Sequence, residues 1–207
     1  MRLFAAVWPP AAVRSSLAAA LDAARRDDPM VSAWGDVRWV SSERWHVTIG
    51  FFGEIPDPEH GALRASLGRA VRSLAAPPVA VVGEHIVLLG PRVLHLEVDG
   101  LAPLARAVRR EAGPWRRDEH PGFRGHLTLG RLAGGGRPVG PGGPEAGGEP
   151  EPRARPGRRP LPAGLPRPLG PLPERRWGVE ELHLVASWPD GAGPRYEVVA
   201  TYRVGAP

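Results

Sequence analysis

The sequence predicts an α+β protein of several antiparallel strands and three helices, and three features predict it. Two short segments, His46 to Phe51 and His126 to Arg131, read almost alike, with apolar residues at alternate positions as in a half-buried strand. Three longer stretches repeat apolar residues at helical spacing. Gly and Pro punctuate the chain between these segments.

In chain order, Leu3 to Val7 is an opening strand, and Pro9-Pro10 leads into a helix over Ala11 to Arg26. Val13, Leu17, Leu21 and Ala24 share its inner face; proline is tolerated in a first helical turn, and alanine favours the rest. Asp27-Asp28-Pro29 stops it, Val37 to Val40 is a short strand, and residues 41–44 turn into the first His strand. Asp57-Pro58 opens a second helix, a capping side chain followed by proline, running to about Leu74. Val79 to Leu89 and Val93 to Val98 flank Gly90-Pro91-Arg92 as an antiparallel hairpin. The third helix spans Leu101 to Ala112 and ends at Gly113-Pro114. Val179 to Trp188 and Tyr196 to Val204 are the closing strands.

Residues 1–133 and 174–207 are expected to form one domain. Residues 134–173 hold 11 Gly and 12 Pro with few large apolar side chains, which predicts a disordered insertion. The net charge of +5 is carried by arginine alone, and the insertion holds 6 Arg against 3 Glu. The remainder, 21 Arg against 19 acids, is close to neutral, so bulk charge argues little for a nucleic-acid partner. With no cysteine there is no disulfide framework, thiol nucleophile or thiolate zinc site. The opening apolar run is too short for a signal peptide, and no stretch approaches the roughly 20 apolar residues of a membrane span. A cytoplasmic protein, monomeric by default, is the expectation.

On a strand, residues two apart share a face. His46 and Thr48 therefore oppose Val47 and Ile49, and His126 and Thr128 oppose Leu127 and Leu129. Each strand presses an apolar side into a core and offers an imidazole and a hydroxyl on the other. Facing one another across a cleft, two such strands would supply an acid–base couple near neutrality and hydroxyls for the charge on a phosphodiester's non-bridging oxygens. Arg131, three residues beyond Thr128, is placed to add a charge-assisted contact. No metal or other cofactor is required. A single His-x-Thr is ordinarily a half-buried pair; two copies sharing His, Thr and the following Gly, 80 residues apart, are not easily accidental. Metal ligation by the two histidines fits less well, because Glu43, Glu54, Asp118 and Glu119 lie in loops without ligand spacing.

The remaining histidines rank lower. His60 is expected on a helix surface and His120 in a turn; His85, His95 and His183 lie on strands, with His95 the best placed to border the groove. Trp45 points away from the His46 face and belongs to the core. Phe51 also falls on the other face by strict alternation, unless Gly50 permits a bulge.

The motifs His46-x-Thr48-x-x-Phe51 and His126-x-Thr128-x-x-Arg131 resemble those of the two-histidine phosphoesterases. Arg2 to Val7, Trp45 to Thr48 followed by Phe52-Gly53-Glu54, Phe123 to Arg131, and Leu182 to Ser187 before Tyr196 narrow the resemblance. They are similar to the RNA 2′,3′-cyclic phosphodiesterases, also called 2′-5′ RNA ligases. The resemblance implies a bilobal fold, two antiparallel β-sheets with flanking helices in pseudo-two-fold arrangement around a central groove. It implies metal-independent opening of a 2′,3′-cyclic phosphate at an RNA end to a 2′-phosphate, with 2′-5′ ligation as the reverse reaction. By similarity His46 protonates the departing 3′ oxygen, His126 activates water, and Thr48, Thr128 and Arg131 hold the phosphate; RNA ends or cyclic nucleotides are the implied partners. Two departures stand out: Gly125 occupies a position where relatives often have proline, and the insertion directly follows the second motif. An RNA-end binding module without catalysis, or a phosphodiesterase for another small cyclic phosphate, are the alternatives.

Overall fold

The computed structural model describes residues 1–34, 37–117, 122–132, 164–189 and 194–205. Strand β1 (Arg2–Val7) is buried from Leu3 onward because both of its faces are covered. Leu3, Ala5 and Val7 enter the main core, while Phe4 and Ala6 join a second, smaller cluster with Val185. Helix α1 (Ala11–Asp27) buries Val13, Leu17 and Leu21, as its spacing predicts. Asp28 does more than stop it: its carboxylate accepts from Met30 N at 2.9 Å and so caps a further short helix, α2 (Pro29–Ser32).

Strand β2 (Val37–Trp39) and a single 3₁₀ turn at Ser42–Arg44 lead into β3 (Val47–Gly53). The second helix differs from expectation at its start. Asp57 makes no side-chain cap; it sits in a 3₁₀ turn (Asp57–Glu59), and α3 (His60–Arg72) follows, with His60 Nε2 bonded at 2.9 Å to the Ile55 carbonyl. The expected hairpin is formed by β4 (Val79–Leu89) and β5 (Val93–Asp99), and α4 (Ala102–Ala112) precedes β6 (His126–Leu132). The closing strands are β7 (Arg167–Pro168), β8 (Arg176–Gly178), β9 (Glu181–Trp188) and β10 (Arg195–Arg203).

The strands run β10-β9-β1-β3-β6-β5-β4-β7, with β2 added beside β6 and β8 beside β4. Every pairing is antiparallel. The ladder has two halves, β10-β9-β1-β3 and β6-β5-β4-β7, joined by the pair Val47–Leu127. Helices link the halves reciprocally. Helix α4, which connects β5 to β6, packs on β3 of the other half and on α3. Helix α1, which follows β1, is tied to the second half where Asp28 binds Arg167 of β7 and Ser16 Oγ accepts from Glu174 N at 3.3 Å. This is the α+β class with pseudo-two-fold character.

The expected insertion ends too late at 173. Residues 134–163 lie outside the described residues, but Arg167–Pro168 pairs with β4, and Leu169 and Leu172 are buried. Two leucines among prolines suffice there because Leu169 N also bonds to the Glu84 carbonyl at 2.8 Å. No helix among the described residues is long and apolar enough to cross a membrane.

Gly100 turns β5 into α4 at φ +85°, and a Cβ built there would lie 1.9 Å from the Val79 carbonyl oxygen. Gly100→Ala is therefore expected to destabilise the fold by at least about 1–3 kcal/mol, seen as a lower urea midpoint at unchanged m-value.

Candidate active site

The two His-x-Thr segments meet at the midpoint of the ladder. Val47 pairs with Leu127, both fully buried. Continuing that antiparallel register by one residue sets His46 across from Thr128 and Thr48 across from His126. Directly opposed residues share a face, so all four side chains lie on the side away from the core, and all four are partly exposed. The motifs cross, each imidazole standing beside the other motif's hydroxyl.

Each motif strand then carries one extra residue. Ala6 pairs with Thr48 but Ala5 with Gly50, which leaves Ile49 as a bulge; His95 pairs with Thr128 but Leu94 with Gly130, which leaves Leu129 as a bulge. The residue after each bulge stays on the core side, where a side chain would crowd its neighbours. A Cβ at Gly50 would meet Val108 Cγ1 of α4 at 3.2 Å, and one at Gly130 would meet Val37 Cγ1 at 2.8 Å. The next residue returns to the groove side. Strict alternation puts Phe51 on the wrong face: it pairs with Phe4 and joins the cluster beside His46. Arg131 returns in the same way, opposite Val93 and exposed.

The histidines are held alike. The Nδ1–H of His46 donates to the Arg44 carbonyl at 2.8 Å, and the Nδ1–H of His126 to the Arg124 carbonyl at 3.0 Å. A carbonyl can only accept, so each proton sits on Nδ1 and each Nε2 is free to take or give one. Their surroundings differ. His46 is enclosed by Phe4, Trp8 and Tyr196, with ring centroids 5.2, 5.5 and 5.2 Å away. Burial pushes its pKa down from the usual 6.5; the Arg44 carbonyl opposes this, and the charge of His126, close enough to be felt, adds to it.

His95 is almost fully buried on the same face, its ring edge-to-face with His126 at 5.5 Å. Its Nδ1 makes no hydrogen bond, and burial, then the charge of His126, pushes its pKa down. His183 packs under Trp8 at 5.3 Å and pairs with Thr201 Oγ1 at 3.0 Å. His85 is exposed opposite Pro168, and Trp45 is core, its Nε1–H donating to the Val40 carbonyl. Asp118, Glu119 and His120 lie outside the described residues. Phe4, Trp8 and Tyr196 were not expected around His46 from the sequence; the alternation of Phe4, Ala6 and Trp8 was the available signal.

Two crossed His-x-Thr strands thus share one face of an α+β sheet built of two related halves. Residues 10–94, which include the first motif, match the family model described as LigT like Phosphoesterase. Three solved structures share the fold over nearly the full chain. TT0787 of Thermus thermophilus is 22% identical, with a TM-score of 0.65 and coverage of 99% of this chain and 98% of that one. E. coli LigT in apo form is 22% identical, with TM-score 0.61 and coverage of 98% and 96%. E. coli LigT complexed with 3′-AMP is 23% identical, with TM-score 0.62 and coverage of 99% and 98%. No curated protein matches the chain significantly. The chain thus shares the fold of these structures, and its residues 10–94 are similar to the LigT-like phosphoesterases.

Because the folded chain disfavours protonation of His46, the unfolded chain binds more protons below the ordinary value of 6.5. Stability is therefore present above that pH and lost as pH falls through it; His95 and His183 act with the same sign. Calorimetry from about pH 8 to pH 5 is expected to show a falling Tm, with a shallower fall in His46→Gln.

Proposed function

We propose that the protein is a metal-independent phosphodiesterase that opens the 2′,3′-cyclic phosphate of an RNA end or nucleoside to a 2′-phosphate. The observation that carries this reading is the crossing of the two motifs, which offers two Nε2 atoms and two hydroxyls on one face. The cyclic phosphorus lies between the imidazoles, with Thr48 and Thr128 donating to its non-bridging oxygens as charge grows there. Neutral His126 takes a proton from water as the oxygen attacks phosphorus. The P–O3′ bond breaks, and His46 gives its proton to the departing 3′ oxygen. The products are a 3′-hydroxyl and a 2′-phosphate.

The aromatic enclosure of His46 suits a proton donor. Burial makes its imidazolium a stronger acid, and the anionic substrate supplies the countercharge that protonates it on binding. With a 5′-hydroxyl in place of water, the same transfers would open the cyclic phosphate to a 2′-5′ phosphodiester and a 3′-hydroxyl, which is the 2′-5′ ligase sense. The complex of E. coli LigT with 3′-AMP supports a nucleotide as the ligand class. A cytoplasmic monomer acting on RNA ends completes the proposal.

With chelator present, the protein is expected to convert a nucleoside 2′,3′-cyclic phosphate to the 2′-monophosphate, with a bell-shaped pH dependence of kcat/KM. His46→Ala and His126→Ala are each expected to lose roughly 10²- to 10⁴-fold in kcat. Chromatography of the product decides the chemistry: a 3′-monophosphate would refute the bond assignment, and activity lost with chelator would refute the metal-free route. Salt-sensitive RNA binding without turnover would instead favour an RNA-end binding module.

A further inference from the structure

Arg44 acts on the first motif twice, once through its backbone and once through its side chain. Its carbonyl accepts from His46 Nδ1 at 2.8 Å. Its guanidinium reaches the start of β10, 150 positions away. One nitrogen donates to the Pro194 carbonyl at 2.8 Å, and Cζ lies 5.5 Å from the centre of the Tyr196 ring. Tyr196 in turn stands edge-on to His46 at 5.2 Å and to Phe4 at 5.5 Å. Arg44 thus holds the imidazole from one side and the ring that walls it in from the other. A guanidinium suits the place, because its flat face stacks on an aromatic ring while its edge donates in plane to a carbonyl. An ammonium would bring the charge without the fork. The second motif gives the contrast. Arg124 also lends its carbonyl to a histidine, but its side chain is exposed, and among the described residues no Phe, Tyr or Trp ring packs on His126.

We infer that Arg44 is a positioning residue for His46, its guanidinium holding the Tyr196 wall closed against the imidazole. The inference rests on the phosphodiesterase reading, in which His46 is the acid. The wall serves that acid by fixing the ring whose Nε2 meets the departing oxygen, and by keeping water from it. The titratable groups around His46 are His126 of β6, His183 of β9 behind Trp8, Tyr196 of β10 and Arg44 itself. Burial is the main cause that pushes the His46 pKa down, and the charges of His126 and Arg44 add to it. Loss of the guanidinium opens the wall and removes a positive charge. Both changes act with one sign, and His46 keeps its proton to higher pH.

The test uses Arg44→Met, which keeps the apolar stem, and Arg44→Lys, which keeps the charge. Arg72→Met, on the exposed face of α3, is the control. NMR of the histidine ring protons, assigned with His46→Gln, follows the titration of His46; kcat and KM are measured on a nucleoside 2′,3′-cyclic phosphate. In Arg44→Met the His46 titration is expected to move to higher pH, and kcat to fall roughly tenfold with KM nearly unchanged. In Arg44→Lys the titration returns towards that of the parent, while most of the loss in kcat remains. Arg72→Met matches the parent in both. An unmoved His46 titration, a loss that falls on KM, or full recovery of kcat in Arg44→Lys overturns the inference. If Arg44→Met does not fold, Arg44→Lys decides by its kcat. If the parent turns over no cyclic phosphate, the phosphodiesterase reading fails and the titration decides alone. A rise in Arg44→Met but not in Arg72→Met then upholds the positioning role, and no rise overturns it.

Discussion

The groove depends on how β3 and β6 meet. They are joined at Val47–Leu127, and that pair fixes which side chains of both motifs share a face. Slipping the register by one residue would send each imidazole into the core and bring the valine and leucine out. The pair is held against slippage from below, since Val47, Ile49, Leu127 and Leu129 are all buried in the main core. The apolar half of each motif therefore positions the polar half.

Most of the architecture is legible in the sequence because it is periodic. The helices from Ala11 and Ala102 and the β4–β5 hairpin follow from spacing and turn residues, and so does the shared face of His46 and Thr48. What the sequence hid is aperiodic. One residue inserted at Ile49 and another at Leu129 shift the phase, so Phe51 and Arg131 return to a face that strict alternation denies them. The signal was the glycine after each motif, which marks a site where a side chain would crowd its neighbours. Strands β7 and β8 were illegible for another reason: at two and three residues among prolines, they are shorter than any pattern can register.

The two halves share a backbone scheme but not an environment. His46 and His126 have the same Nδ1 restraint, yet aromatic rings enclose the first, and another histidine edges the second. Symmetry supplies two imidazoles held in the same way. The departures from it bury His46 among rings and push its pKa down.

The exchange of helices between the halves has a consequence for how the chain reaches this structure. Each half borrows part of its cover from sequence belonging to the other, and the Ser16–Glu174 contact joins residues 158 positions apart. Neither half is a foldon that closes early and waits for its twin. Loop-closure entropy over most of the chain must be met before the shared layers reward it, so formation should be slow and all-or-none, and cutting the polypeptide at the middle should leave two unstructured fragments.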